Sequence, residues 1–154
     1  MRIAIGADHA GYSYKERLAR VLEEDGHEVL DMGTYGPESV DYPDFALAVA
    51  EAVSAGEAER GVLVCGSAVG VCVAANKVPG VRAGVCHETY SAHQAVEHDD
   101  MNVVCLGERV IGIEVAREVV RAFVSARYTA APRHERRLAK LKAIEARYSR
   151  KEGT

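Results

Sequence analysis

Short apolar runs alternate with longer amphipathic ones along nearly the whole chain, and no other feature limits its fold so tightly. "RIAIGA" (2–7), "EVLDMG" (28–33), "GVLVC" (61–65), "RAGVC" (82–86) and "NVVCLG" (102–107) have the length and composition of buried strands. Between them the apolar spacing turns helical. Residues 12–25 put Tyr14, Leu18, Val21 and Leu22 on one face and stop at Gly26; Pro43 opens a helix carrying Phe45, Val49 and Val53. Further helices are expected over 69–77, 88–97 and 112–126, the last with Ile113, Ala116, Val120 and Phe123 inward, and a final one from about 133 to 149 with a thin stripe of Leu138, Leu141, Ile144 and Tyr148. Strands apolar on both sides, joined by helical crossovers, predict an α/β fold: a parallel sheet with helices on both faces. With 154 residues, no internal repeat and no biased tract, one domain over 1–154 is expected. No apolar run reaches membrane-spanning length and no signal peptide opens the chain, so a cytoplasmic protein with no membrane partner is expected.

Right-handed crossovers bring every strand C-terminus to one sheet edge, where ligands bind in open α/β sheets. Asp8-His9 follow the first strand, Cys65-Gly66-Ser67 the third, His87-Glu88 the fourth and Gly107-Glu108-Arg109 the fifth. The turn Cys65-Gly66-Ser67-Ala68-Val69-Gly70 lacks the Gly-Lys-[Ser/Thr] ending of a P-loop and the spacing of a dinucleotide fingerprint. Its N–H groups should still face an anion at a helix start, and a thiol beside such donors suits proton abstraction from carbon with stabilisation of the oxyanion formed. A structural cysteine before a tight turn explains the same residues, and both readings stay open here. Cys72, Cys86 and Cys105 fall inside elements and read as structural. The four cysteines fit no zinc spacing, so neither metal nor cofactor is expected.

Charge is uneven. Residues 133–151 hold eight Lys/Arg against two Glu, while the remainder holds eleven basic and twenty-one acidic residues. A basic tail on an acidic body suits a phosphate or an acidic partner surface. With no groove-reading motif and one aromatic, Tyr148, it is not read as a nucleic-acid site.

"GADHAGY" (6–12), "DYPDFA" (41–46), "VCGSAVGVCVAANK" (64–77), "GVRAGVC" (80–86), "EHDDMNVVCLGERVIG" (97–112) and "RHERR" (133–137) occur in that order. In these motifs the chain resembles the type B ribose-5-phosphate isomerases, within the wider family of ribose and galactose phosphate isomerases, over about residues 2–148. The resemblance implies a three-layer α/β/α, Rossmann-like sandwich with a five-stranded sheet in the order 2-1-3-5-4. It also implies a metal-free aldose–ketose isomerisation of ribose 5-phosphate and ribulose 5-phosphate through an enediolate. The partners it implies are a phosphorylated sugar and a second copy of the chain, in a homodimer whose sites are shared and whose C-terminal helix (133–149) reaches across; pairing of dimers into tetramers is left open. By the same resemblance His98 opens the furanose ring, Cys65 moves the proton between C2 and C1, and Ser67 polarises the substrate oxygen. The N–H groups of Gly66, Ser67, Ala68, Val69 and Gly70 form the enediolate hole. Asp8 and Tyr42 hold sugar hydroxyls, and His9, Arg109, Arg133, Arg137 and, less directly, His134 contact phosphate. Val71 stands where some relatives carry a glutamate base. Two departures are Ala68, where the family has glycine, and Asp99, where it has asparagine. Isomerisation of allose 6-phosphate or galactose 6-phosphate is the rival within the class, and a non-catalytic sugar-phosphate or nucleotide sensor the rival outside it.

Overall fold

A computed structural model describes residues 1–149; the last two basic residues of the tail, Arg150 and Lys151, and the end of the expected 1–154 domain lie outside them. The strands are β1 (Arg2–Ala7), β2 (Glu28–Asp31), β3 (Arg60–Cys65), β4 (Ala83–Val85) and β5 (Val103–Gly107). The helices are α1 (Tyr12–Glu24), α2 (Tyr42–Ser54), α3 (Val69–Ala75), α4 (Thr89–Asp99), α5 (Ile113–Ser125) and α6 (Pro132–Tyr148). All strand pairs are parallel, in the order β2-β1-β3-β5-β4, as the resemblance implied. No helix among the described residues is long and apolar enough to cross a membrane.

Both faces of the sheet are covered because its central strands are apolar on both sides. Ile3, Ile5, Val62, Val64, Val104 and Leu106 pack against one helical layer, with Leu18, Leu22, Val96, Val120 and Phe123 in the same cluster. Ala4, Leu63, Val103 and Cys105 point the other way, into a cluster with Val49, Val53, Val71 and Ala75. The period-2 alternation of β1, β3 and β5 therefore feeds two cores at once. Boundaries depart from the sequence reading where tertiary contacts decide them. The edge strand β4 pairs only with β5 and keeps three residues. Helix α4 runs on to Asp99 and thereby takes in His98. Of the stripe expected on α6, Leu138 alone is buried; Leu141, Ile144 and Tyr148 are 47%, 58% and 73% exposed.

Lys15 was invisible as a structural residue in the sequence. Its side chain has no exposed surface, and Nζ lies 2.6 Å from Asp31 Oδ2 and 2.8 Å from Glu16 Oε1. Burial pulls its pKa down, but the hydrogen bonds and charges of Asp31 and Glu16 outweigh burial and leave it raised. The pair ties α1 to the end of β2 beneath the edge that carries the cleft. Arg60 does similar work elsewhere, donating to the carbonyls of Phe123, Val124 and Ala126 at the end of α5.

Candidate active site

The carboxyl edge of β1, β3 and β5 opens onto a cleft of about 380 Å³ lined by Asp8, His9, Tyr42, Cys65, Ser67 and Arg109, among others. Each wall has a local cause. Asp8 Oδ1 accepts the N–H groups of Ala10 and Gly11 (3.0 and 3.1 Å), so this carboxylate holds the turn that leads into α1 and has its second oxygen to spare. Gly11 admits no side chain: a Cβ there would stand 2.4 Å from the Val64 carbonyl oxygen. The Tyr42 ring lies against Gly70, where a Cβ would come within 2.9 Å of it. His9 Nδ1 is held against the Val40 backbone, 3.1 Å from its nitrogen and 3.2 Å from its carbonyl oxygen, which leaves Nε2 as the ring's free nitrogen. Arg109 is tied by its own N–H to the Gly66 carbonyl (3.1 Å), and its guanidinium overlies Gly66 at close range.

The Cys65 turn is built around its sulfur. The Ala68 N–H donates to Cys65 Sγ (3.1 Å) and the Val69 N–H to Ser67 Oγ (3.3 Å). A donor aimed at sulfur is a contact a thiolate uses better than a thiol. Because Ser67 Oγ accepts from Val69, its own proton is free to reach a ligand. Ala68 is wholly buried and the Val69 side chain is exposed, so both take part through backbone alone. Ala68 has φ 72°, in the left-handed region that costs a side chain about 1–2 kcal/mol. The missing glycine therefore does matter here. Ala68→Gly is expected to stabilise the fold slightly, since strain relief exceeds the roughly 0.8 kcal/mol lost with one buried methyl. A rise in the urea midpoint checks it; a fall would mean the methyl's packing outweighs the strain.

His98, Asp99, Arg133, His134 and Arg137 are not in this cleft. Helix α4 leaves the carboxyl end of β4 and runs back, so its last turn lies at the opposite edge of the sheet. The six residues of β3, at about 3.3 Å each, make that separation roughly 20 Å. There His98 Nδ1 meets Gln94 Nε2 (2.8 Å), and the His98 ring stacks on His134, with centroids 4.2 Å apart and planes 29° apart. Arg133 and Arg137 are exposed on the same first turns of α6, and their charges bear on His134. Asp99 is exposed and makes no ion pair among the described residues; the neighbouring Asp100 pairs with Arg82 (2.8 Å).

Other residues noted in the sequence have structural work. His87 Nε2 accepts the Gly107 N–H (2.9 Å), Glu108 Oε2 accepts the Tyr14 N–H (3.1 Å), and Glu88 caps α4 at the Ser91 N–H (3.0 Å). Cys86 and Cys105 are buried, and burial pushes both thiols up. Cys72, expected to be merely structural, is half-buried and drawn down to about 7, chiefly by a hydrogen bond with Cys105. That contact joins α3 to β5 and has no signal in the local sequence.

A thiol that accepts a backbone N–H at the carboxyl edge of a parallel sheet, with a guanidinium, a carboxylate and a phenol lining the same cleft, is an arrangement suited to an α/β enzyme. The chain matches the Ribose/Galactose Isomerase family over residues 3–141. It is 45% identical over 146 residues to the ribose-5-phosphate isomerase B of Escherichia coli K12, covering 95% of this chain and 97% of that one. It is 44% identical to D-erythrulose-4-phosphate isomerase 2 of Mycolicibacterium smegmatis, over 80% of this chain and 84% of that one. The solved ribose-5-phosphate isomerase B of Clostridium thermocellum superposes with a TM-score of 0.94 at 49% identity, covering 97% of this chain and 100% of that one. The chain belongs to the ribose/galactose isomerase family.

Proposed function

We propose that the chain interconverts D-ribose 5-phosphate and D-ribulose 5-phosphate in a homodimer whose two sites each draw on both subunits. The observation that carries this reading is the split of the expected residues between opposite sheet edges. One edge holds a thiol and sugar-binding groups without a ring-opening histidine. The other holds His98 with Arg133 and Arg137 and no proton-transfer base. A two-fold partner that lays its second edge against this cleft completes the constellation, and the exposed Leu141, Ile144 and Tyr148 of α6 are apolar surface for the same contact. They line a groove of about 840 Å³ together with Asn76, Lys77 and Pro79.

The chemistry then runs in two stages. The partner's His98 gives its Nε2 proton to the ring oxygen, the C1–ring oxygen bond breaks as C1=O forms, and the bared nitrogen takes the proton of the C1 hydroxyl. Cys65 as thiolate removes the C2 proton, and the electron pair becomes the C1=C2 bond of an enediolate. Its charge falls on O1, facing those N–H groups of the 66–70 turn that Cys65 Sγ and Ser67 Oγ leave free, with the Ser67 hydroxyl on the adjacent oxygen. A proton passes from the C2 hydroxyl to O1, and as the carbonyl forms at C2 the Cys65 thiol returns its own proton to C1. Asp8 and Tyr42 hold hydroxyls. His9 and Arg109 receive the phosphate, joined by the partner's Arg133 and Arg137, whose planar forks suit a phosphate.

The M. smegmatis relative acts on a four-carbon phosphate at nearly the identity of the E. coli relative, so a D-erythrulose 4-phosphate reading stands second. Initial rates on ribose 5-phosphate, D-erythrulose 4-phosphate, allose 6-phosphate and galactose 6-phosphate separate these readings. Ribose 5-phosphate is expected to give the highest kcat/KM, and preference for another sugar would replace the substrate assignment. Asp99 sharpens the test. A carboxylate close to a developing enediolate opposes it, so Asp99→Asn is expected to leave kcat/KM on ribose 5-phosphate unchanged or raised. A loss beyond about tenfold with the dimer intact would instead make Asp99 an acceptor for a sugar hydroxyl.

A further inference from the structure

We propose that His134 is a positioning residue for His98, a buried and uncharged ring on which the ring-opening imidazole stands. This rests on the functional reading above and assigns His134 different work from the phosphate contact the family resemblance implied.

The hydrogen bonds fix its protonation. Thr129 donates its hydroxyl proton to the Glu97 carbonyl (3.0 Å), so its oxygen is left to accept from His134 Nδ1–H (2.8 Å). The neutral ring therefore has a bare Nε2. That nitrogen is buried and has no partner among the described residues, and the residue as a whole is 2% exposed. A phosphate contact needs an N–H at the surface, whereas this ring offers a lone pair in the interior. Protonation would supply the N–H, but burial opposes it first, then the facing His98, Arg133 and Arg137, with Glu97 alone pulling the other way; the pKa is lowered.

An apolar side chain would fill the same space without leaving a nitrogen unpaired, a loss of about 1–3 kcal/mol. What the imidazole adds is orientation. Thr129 is pinned to Glu97, the residue before His98, by its N–H (3.1 Å) as well as its hydroxyl, and it sets the angle of the His134 ring. Gln94 holds the edge of His98 at Nδ1 (2.8 Å) while His134 holds its face. Because the Gln94 amide donates to Nδ1, the neutral His98 ring carries its proton on Nε2, the nitrogen left for the sugar, so a proton is given to the ring oxygen and the C1 hydroxyl proton taken back at one fixed point.

The variants are His134→Ala, His134→Phe and Thr129→Val, assayed from ribose 5-phosphate, which is mostly cyclic, and from ribulose 5-phosphate, which cannot close to a furanose. His134→Ala should lower kcat on the aldose about tenfold or more, a typical cost of misplaced catalytic groups, with KM within about twofold and the ketose rate within about threefold. His134→Phe keeps a stacking ring and should recover most of the loss; Thr129→Val should fall between. A tenfold rise in KM at unchanged kcat, in both directions, would overturn the proposal in favour of a phosphate contact, as would a phenylalanine variant as damaged as the alanine one. Should the alanine variant fail to fold, the other two carry the comparison. If the native chain does not convert ribose 5-phosphate, the substrate reading fails by itself. The stack is then judged by NMR: ring-current shifts at His98 retained in His134→Phe and lost in Thr129→Val support it, and their absence from the native protein overturns it.

Discussion

Cys65→Ala is expected to lower turnover of ribose 5-phosphate by about 10²–10⁴-fold, the usual worth of a positioned proton-transfer group, while the phosphorylated substrate still binds. The separation follows from the geometry. Sulfur is the one atom in the 65–70 turn able to shuttle a proton at carbon, whereas the hydroxyl and phosphate contacts proposed above are assigned to Asp8, His9, Tyr42 and Arg109, which line the same cleft and which the substitution leaves in place. Cys65→Ser should be nearly as poor, because a serine hydroxyl hardly ionises at neutral pH. Steady-state rates with calorimetric binding of the substrate check both, and near-normal turnover in the alanine variant would remove Cys65 from the mechanism. Thiol-directed reagents cannot replace the substitutions. Cys72 is half-buried and drawn down chiefly by its hydrogen bond with Cys105, which makes it a competing target, so labelling needs a Cys72→Ser background.

Mixing two inactive chains should restore activity in one pairing and not in another. Cys65→Ala and Arg137→Ala damage opposite edges of the sheet. In their mixed dimer one site receives an intact thiol from one chain and an intact arginine from the other, while the second site has neither. Activity should return to about half that of the native dimer per heterodimer, from far below it in each parent, given independent sites. His98→Asn and Arg137→Ala damage the same edge, so no site in their mixed dimer is whole and none should recover. Native mass spectrometry confirms that heterodimers form. Rescue of both pairings, or of neither, would contradict the division of the site. Tethering His98 to the arginine half goes beyond what the motifs imply and comes from where α4 ends.

Much of this was legible in the residues. The alternation of strand and helix predicted the layers, and the residues following strands one, three and five do line the cleft. The strand order came from the family resemblance, since periodicity cannot say which strands are neighbours. His98 was harder to place, although a signal existed: a helix that leaves the carboxyl edge must end at the other one, so a residue in its last turn cannot share the edge of Cys65. The φ of Ala68 was hidden because a turn's small residues do not reveal which of them is left-handed. Lys15 looked like a surface residue beside Tyr14 and Leu18; its burial depends on Asp31, an element away. The lowered Cys72 and the His98–His134 stack both arise between elements distant in sequence, where local pattern carries no information.

The central claim is that this chain moves a proton between C2 and C1 of ribose 5-phosphate through an enediolate based on Cys65. The direct measurement is ¹H and ¹³C NMR of the purified protein with ribose 5-phosphate in deuterated water. Formation of ribulose 5-phosphate with solvent deuterium on C1, and loss of both product and label in Cys65→Ala, is the result expected. Ketose carrying no solvent deuterium at carbon, or product formed equally well by Cys65→Ala, would contradict it.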